Sequence, residues 1–208
     1  MKSKLLTIIS MSLLFTGMSF AGQQKGTMKD PRDGKTYKTV KIGKQIWMAE
    51  NMNYDIKHSY CYDDDPENCQ KYGRLYTWAA ANYVCPEGWH LPTKEEFETL
   101  LIYVGGTATA LKSKQGWEPY EHKFEHALQD GNGIDKYGFN VLPAGLRYYD
   151  GEFADARRVA VFWSETEYGY GAGDVAVNLR LYNNRGSMDL IGFLKVNAYS
   201  VRCLRGSN

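Results

Sequence analysis

Beyond Phe20 the sequence has no apolar run long enough to cross a membrane as a helix. It has no basic excess, with 25 Lys and Arg against 24 Asp and Glu, so the electrostatic footprint of a nucleic-acid binder is missing. It has no G-x-S-x-G elbow, no Walker loop and no dinucleotide fingerprint, which sets aside the readily recognised hydrolase and nucleotide chemistries. Repeats and low-complexity linkers are absent too and long amphipathic helices are scarce, leaving one large domain as the expectation. Cysteine is sparse, at four residues, and all four lie at or beyond Cys61.

What is present begins with a leader. Lys2 and Lys4 precede an apolar run from Leu5 to about Phe20, and Ser19-Phe20-Ala21 places small residues at the −3 and −1 positions of a cleavage site. This is the layout of a secretory signal peptide, and cleavage after Ala21 is expected, with residues 22–208 as the mature domain. No Cys follows the site, so a lipid anchor is not indicated. Export makes two disulfides the expected state of Cys61, Cys69, Cys85 and Cys203. Three pairings are open. Cys61 and Cys69 face each other across the short CYDDDPENC loop, and a local bridge there would leave Cys85 with Cys203.

TYKTVKIGKQIWM predicts two strands around Gly43-Lys44. Asn51 to Gly73 reads as a polar, Tyr-rich loop, and RLYTWAAANYV predicts a short helix with Leu75, Trp78 and Ala79 on one face. Thr93-Lys94-Glu95-Glu96 is a capping box, ahead of a buried stripe of Phe97, Leu100, Leu101 and Val104 that Gly105-Gly106 ends. A third short helix is expected from Ala108 to Lys114. FNVLPAGLRYYDGEF, AVFWSETE, VAVNLRLYNN and AYSVRCL then read as strands. Helices first and strands after predict an α+β fold of two or three short helices on short, mostly antiparallel strands with long loops.

The blocks DPRDGKTYKTVKIGKQIWMAENMNYD, GRLYTWAAANYVCPEGWHLPTKEEFETL, YGFNVLPAGLRYYDGEF and YSVRCLR resemble the Fibrobacter succinogenes major paralogous domain, over about Asp30 to Arg205. The middle is also similar to the C-type-lectin-like fold, which sulfatase-modifying, formylglycine-generating enzymes share. That resemblance implies a bridge from Cys85 to Cys203, and the family resemblance implies an exported or surface protein; no reaction comes with it. The lectin calcium motifs are not matched, because Glu118-Pro119 is followed by Tyr120 and Trp163 by Ser164-Glu165. Formylglycine generation needs a pair of C-terminal cysteines, and Cys203 stands alone.

Chemistry-bearing patterns are few. His122-Lys123-Phe124-Glu125-His126 fits H-x-x-E-H, but its Pro- and Gly-bearing flanks favour a solvated loop over a zinc helix. Asp63, Asp65 and Glu67 are weak candidates for calcium, without the spacing of an EF-hand; no other cofactor is expected. His90, between Trp89 and Leu91, is expected buried and bonded to backbone. Aromatics in Gly- and Asn-rich segments give the positive signal: Trp117, Tyr120, Tyr148, Tyr149, Phe153, Tyr168, Tyr170 and Tyr182, with Asn183 and Arg185 as polar partners. Rings beside such groups can stack on sugars. The expectation is a non-catalytic exported module for binding or adhesion, its partner a polysaccharide or a surface protein. A structural subunit of a surface assembly is the alternative, and a formylglycine-type or zinc-dependent enzyme ranks below both.

Overall fold

The protein is described by a computed structural model covering residues 24–169 and 173–206; the expected leader lies outside the described residues. The chain opens with β1 (Lys25–Lys29), β2 (Thr36–Ile42) and β3 (Gln45–Met48). After β4 (Ser59–Tyr60) come α1 (Pro66–Tyr72), β5 (Leu75–Thr77), α2 (Trp78–Val84), β6 (Trp89–His90) and α3 (Lys94–Tyr103). A hairpin of β7 (Tyr120–Glu121) and β8 (Leu128–Gln129) is followed by β9 (Leu146–Arg147) and β10 (Phe153–Ala154). The long strands β11 (Val159–Glu167), β12 (Val175–Tyr182) and β13 (Met188–Leu194) precede the short β14 (Ala198–Tyr199) and β15 (Leu204–Arg205).

The strands form sheets in the orders β1-β2-β3-β15-β6, β10-β9-β14-β5-β4 and β11-β12-β13, with β7-β8 apart. Named strands pair antiparallel throughout. The α+β reading therefore holds, with three short helices on short strands. β11 and β12 are buried on both faces and divide two core clusters by the period-2 rule, with Asn178 and Arg180 buried on the Ala176 side of β12. Ala160, Phe162, Leu179 and Leu181 face the cluster that α3 covers with Phe97, Leu100 and Val104. Val159, Val161, Trp163 and Ala176 face the cluster that α2 covers with Ala80, Ala81 and Val84.

Local chemistry explains the helices. In α3 the Thr93 hydroxyl accepts the Glu96 N–H at 3.1 Å, and the Glu96 carboxylate accepts the Thr93 N–H at 2.9 Å, so the capping box is complete. Leu101 packs at the edge of the stripe, and the Gly106 N–H closes the helix on the Leu101 carbonyl. Gly43, at φ 61°, turns β2 into β3; a Cβ there would meet the Tyr103 ring at 2.9 Å.

Several expectations need correction. The supposed polar loop from Asn51 to Gly73 contains β4, a single 3₁₀ turn and α1. Asp65 caps that helix by accepting the Glu67 N–H at 2.9 Å, Pro66 occupies its first turn, and Gly73 (φ 75°) ends it. The helix expected from Arg74 starts only at Trp78, because Leu75–Thr77 pairs as a central strand; its buried side is Ala80, Ala81 and Val84, and Ala79 is exposed. The third helix is one 3₁₀ turn, Ala108–Ala110, after which Lys112 bridges to Val141. β1 and β13 were not anticipated, and AYSVRCL is two strands separated by the segment that carries Arg202.

Both disulfides are closed: Cys61 with Cys69, and Cys85 with Cys203. No helix among the described residues is long and apolar enough to cross a membrane.

Candidate functional site

The most recognisable sequence blocks serve the fold. Arg32 grips the fully buried Asp30 through two hydrogen bonds, of 2.7 and 2.9 Å, and donates to the Val84 carbonyl at 2.7 Å. That contact ties the β1–β2 turn to the end of α2, and the guanidinium holds the Asp30 carboxyl below its usual range. Arg202 is fully buried. It donates to Asn51 Oδ1 at 2.6 Å, to the Asn140 carbonyl at 2.9 Å and to the Phe139 carbonyl. Burial lowers its pKa to about 9, which leaves it charged at neutral pH. Two blocks at opposite ends of the chain therefore meet in one buried polar knot.

His90 is not buried against backbone. Its ring lies half-exposed, with Nε2 at 2.9 Å from the Glu96 carboxylate that also completes the α3 cap. H-x-x-E-H occupies the β7–β8 loop rather than a helix; His126 takes φ 49° and faces Glu121 at 3.4 Å, and His122 accepts the Glu125 N–H at 3.3 Å. Asp63, Asp65 and Glu67 lie around the start of α1, with Asp65 committed to its cap. Among the described residues no three His, Cys, Asp or Glu side chains converge as a metal site.

The aromatic candidates divide. Trp117 is core, 2% exposed, its indole N–H shared between Ser113 Oγ and the Val141 carbonyl at 3.1 Å each. Its Gly-rich flanks gave no sign that this ring turns inward. Asn183 is spent on the Glu118 carbonyl at 2.9 Å, and Arg185 stacks on Tyr182 while pairing with Asp189 at 3.3 Å. Tyr120 is half-buried in β7; Tyr168 is exposed on the β11–β12 connection, its ring over Gly192; Tyr170 lies outside the described residues.

Tyr148 and Tyr149 are exposed, at 38% and 68%, on the turn between β9 and β10. The turn is held by the Tyr148 N–H on the Glu152 carbonyl and the Tyr149 N–H on Asn197 Oδ1, at 2.8 and 3.0 Å. Register explains what stands beside them. Phe153 opposes Arg147, Arg147 opposes Ala198, Ala198 opposes Thr77, and Tyr60 opposes Leu75. Directly opposed residues point to one face of a sheet, so these side chains share a face. The other face sends Leu146, Tyr199 and Tyr76 into the α2-covered core.

On the first face Ala198 is small enough for Arg147 to lie across β14 and meet the Tyr60 ring that reaches back from β4. The guanidinium carbon stands 4.0 Å from the Tyr60 ring centroid and 5.6 Å from that of Phe153, and Tyr62 packs on Phe153 at 5.3 Å. Tyr60, Tyr62 and Phe153 are each half-buried over Tyr72, Leu75, Ala144 and Ala198. Sequence reasoning found Tyr148, Tyr149 and Phe153 and missed Tyr60, Tyr62 and Arg147. The only hint was the disulfide loop, which brings Tyr60 and Tyr62 to this sheet. A separate polar cleft of about 250 Å³ lies between β2, the end of α1 and Asn140, lined by Tyr37, Glu50, Asn51, Asn53, Gln70 and Lys71.

Fold and surface together define an α+β domain closed by two disulfides, with one sheet face bearing aromatic rings and an arginine. The chain belongs to the Fibrobacter succinogenes major domain family, whose model matches residues 40–205. No curated protein and no solved structure matches it.

Proposed function

We propose that the chain is an exported, non-catalytic binding or adhesion module, C-type-lectin-like in fold, that recognises polysaccharide on the sheet face around Tyr148 and Tyr149. One observation carries the reading: two exposed tyrosines on a hydrogen-bonded turn stand at the end of a sheet whose one face bears three half-buried aromatic rings. Aromatic faces of this kind pack against the apolar C–H faces of sugar rings, and their hydroxyls hydrogen-bond at the rim. A preformed turn lowers the ordering cost of binding. The disulfides fit an oxidising compartment. The bridge from the end of α2 to the C-terminal strand region fits the lectin-like reading.

Retention on insoluble polysaccharides is the test. The protein is expected to be retained, and Tyr148→Ala/Tyr149→Ala to elute at least tenfold earlier in affinity terms with an unchanged melting temperature. Trp117→Ala is a different case: it should lower stability by about 3–5 kcal/mol through core loss. Absence of retention on every polysaccharide tried rejects the proposal.

A second reading, a subunit of a surface assembly, has its own observation. Phe124 and Leu128 stand 80% and 76% exposed on the β7–β8 arm, where an apolar pair is suited to a protein contact. Self-association that Phe124→Ser/Leu128→Ser abolishes would favour it.

A further inference from the structure

Among the described residues Arg147 is half-buried and unpaired, whereas the other arginines whose side chains have no oxygen partner, Arg157 and Arg205, are exposed to water. Arg32, Arg74, Arg158 and Arg185 pair with carboxylates at 2.7, 2.9, 2.7 and 3.3 Å. The buried Arg180 is met by Asn178 Oδ1 and the Tyr199 hydroxyl, and Arg202 by carboxamide and carbonyl oxygens. Arg147 has no carboxylate within pairing distance among the described residues, and its Nε is buried without any hydrogen-bond partner. A desolvated donor on a cation is costly to leave unmet.

The surroundings fix its direction. Tyr60 lies against the guanidinium face at 4.0 Å, with Phe153 on its flank. At Gly151 (φ 98°) a Cβ would meet Nη2 at 3.0 Å, so a larger residue would crowd the same guanidinium. With a face taken by a ring and Nε enclosed, the terminal Nη1/Nη2 edge is what remains for a ligand, and that edge matches the two oxygens of a carboxylate. Asp150 and Glu152 belong to the same turn, but Asp150 accepts the Glu152 N–H at 3.1 Å and neither carboxylate pairs with Arg147.

Resting on the polysaccharide reading above, we propose that this face takes an acidic glycan. The carboxylate of a uronic acid residue pairs with the guanidinium edge of Arg147, and the sugar chain runs on toward the exposed turn that bears Tyr149. An ion pair flanked by half-buried rings is less screened than one in open solvent, so the preference for charge should survive moderate salt and weaken at high salt.

Calorimetry of the whole protein with polygalacturonate, with the same polymer fully methyl-esterified, and with neutral xylan tests this. Polygalacturonate is expected to bind at least tenfold more tightly than the esterified polymer. Arg147→Gln should abolish that difference, and Arg147→Lys should restore part of it, since charge returns without the fork. The esterified arm needs no variant, so a folding defect in Arg147→Gln leaves the test standing. Equal binding of acidic and esterified polymers overturns the acidic preference while leaving polysaccharide recognition intact. Binding to none of the three overturns the acidic preference, and together with absence of retention on every insoluble polysaccharide it overturns both.

Discussion

Lys112 shows what a single buried charge does to the whole stability curve. It is 3% exposed; its ammonium donates to the Tyr182 and Asn183 carbonyls at 3.2 and 3.4 Å and lies 4.7 Å from the Trp117 ring centroid. Burial lowers its pKa from 10.5 to about 8, with the Asp130 charge opposing. Below pH 8 folded and unfolded chains both carry the proton, and the folded one bears the desolvation cost. Between 8 and 10.5 only the unfolded chain still holds it, so the folded state gains as pH rises, and the gain is lost as pH falls back through 8. Buried tyrosines act oppositely. Burial raises Tyr37 to about 12 and lifts Tyr76 and Tyr199, so their contribution is intact below the ordinary 10.0 and is lost as pH climbs beyond it. Stability is therefore expected to rise from pH 8 to 10 by about 1–2 kcal/mol, allowing for residual solvent screening, and then to fall. Lys112→Met should remove the rise between pH 8 and 9, since the buried Arg202, lowered to about 9, adds its own gain only above that value, and should keep the falling limb. Urea denaturation at stepped pH reads both limbs, and a wild-type curve flat from pH 7 to 10 would refute the assignment.

At the scale of elements, α1 decides how the acidic run is understood. Asp65 is its N-cap, so Asp65→Ala is expected to cost about 1 kcal/mol, by the same amount with and without calcium. A calcium-dependent rise in melting temperature that the variant loses would instead make this run an ion site. The capping box of α3 and the strands β11 and β12 were legible in the sequence because each is specified locally, by a four-residue hydrogen-bond pattern or by an apolar run. α1 was not, since Asp65-Pro66 looks like a loop until the Cys61–Cys69 bridge closes it. β5 was not, because LYTWAA has helical composition and becomes a strand only by pairing with β4 and β14. β13 alternates too weakly, half-buried along most of its length. The candidate site follows the same rule: Tyr148 and Tyr149 advertise a loop, whereas Arg147 beside Tyr60 depends on pairings that cross half the chain. Trp117 misled because a Gly-rich setting says nothing about where an indole points.

For the whole molecule, the two disulfides are unequal in ways that topology makes measurable. Cys61 and Cys69 are 8 residues apart, and their bridge staples α1 to the turn before it. Cys85 and Cys203 are 118 apart, joining the end of α2 to the segment between β14 and β15. That segment also seats Arg202 among Asn51, Phe139 and Asn140, and its flanking strands are central in two different sheets. Loop-closure entropy alone assigns on the order of 5 kcal/mol to the long bridge and about 2–3 kcal/mol to the short one. The segment keeps its Arg202 contacts without the bridge, so the native state should survive its loss while the unfolded chain gains freedom. Cys85→Ser/Cys203→Ser is thus expected to lose roughly twice the unfolding free energy that Cys61→Ser/Cys69→Ser loses, and to unfold with a larger urea m-value than the wild type, because its unfolded chain exposes more surface. Urea melts of the two double variants beside the wild type measure both quantities. Equal losses would mean that the buried Arg202 contacts with Asn51, Phe139 and Asn140, and not the covalent bridge, hold the C-terminal segment in place.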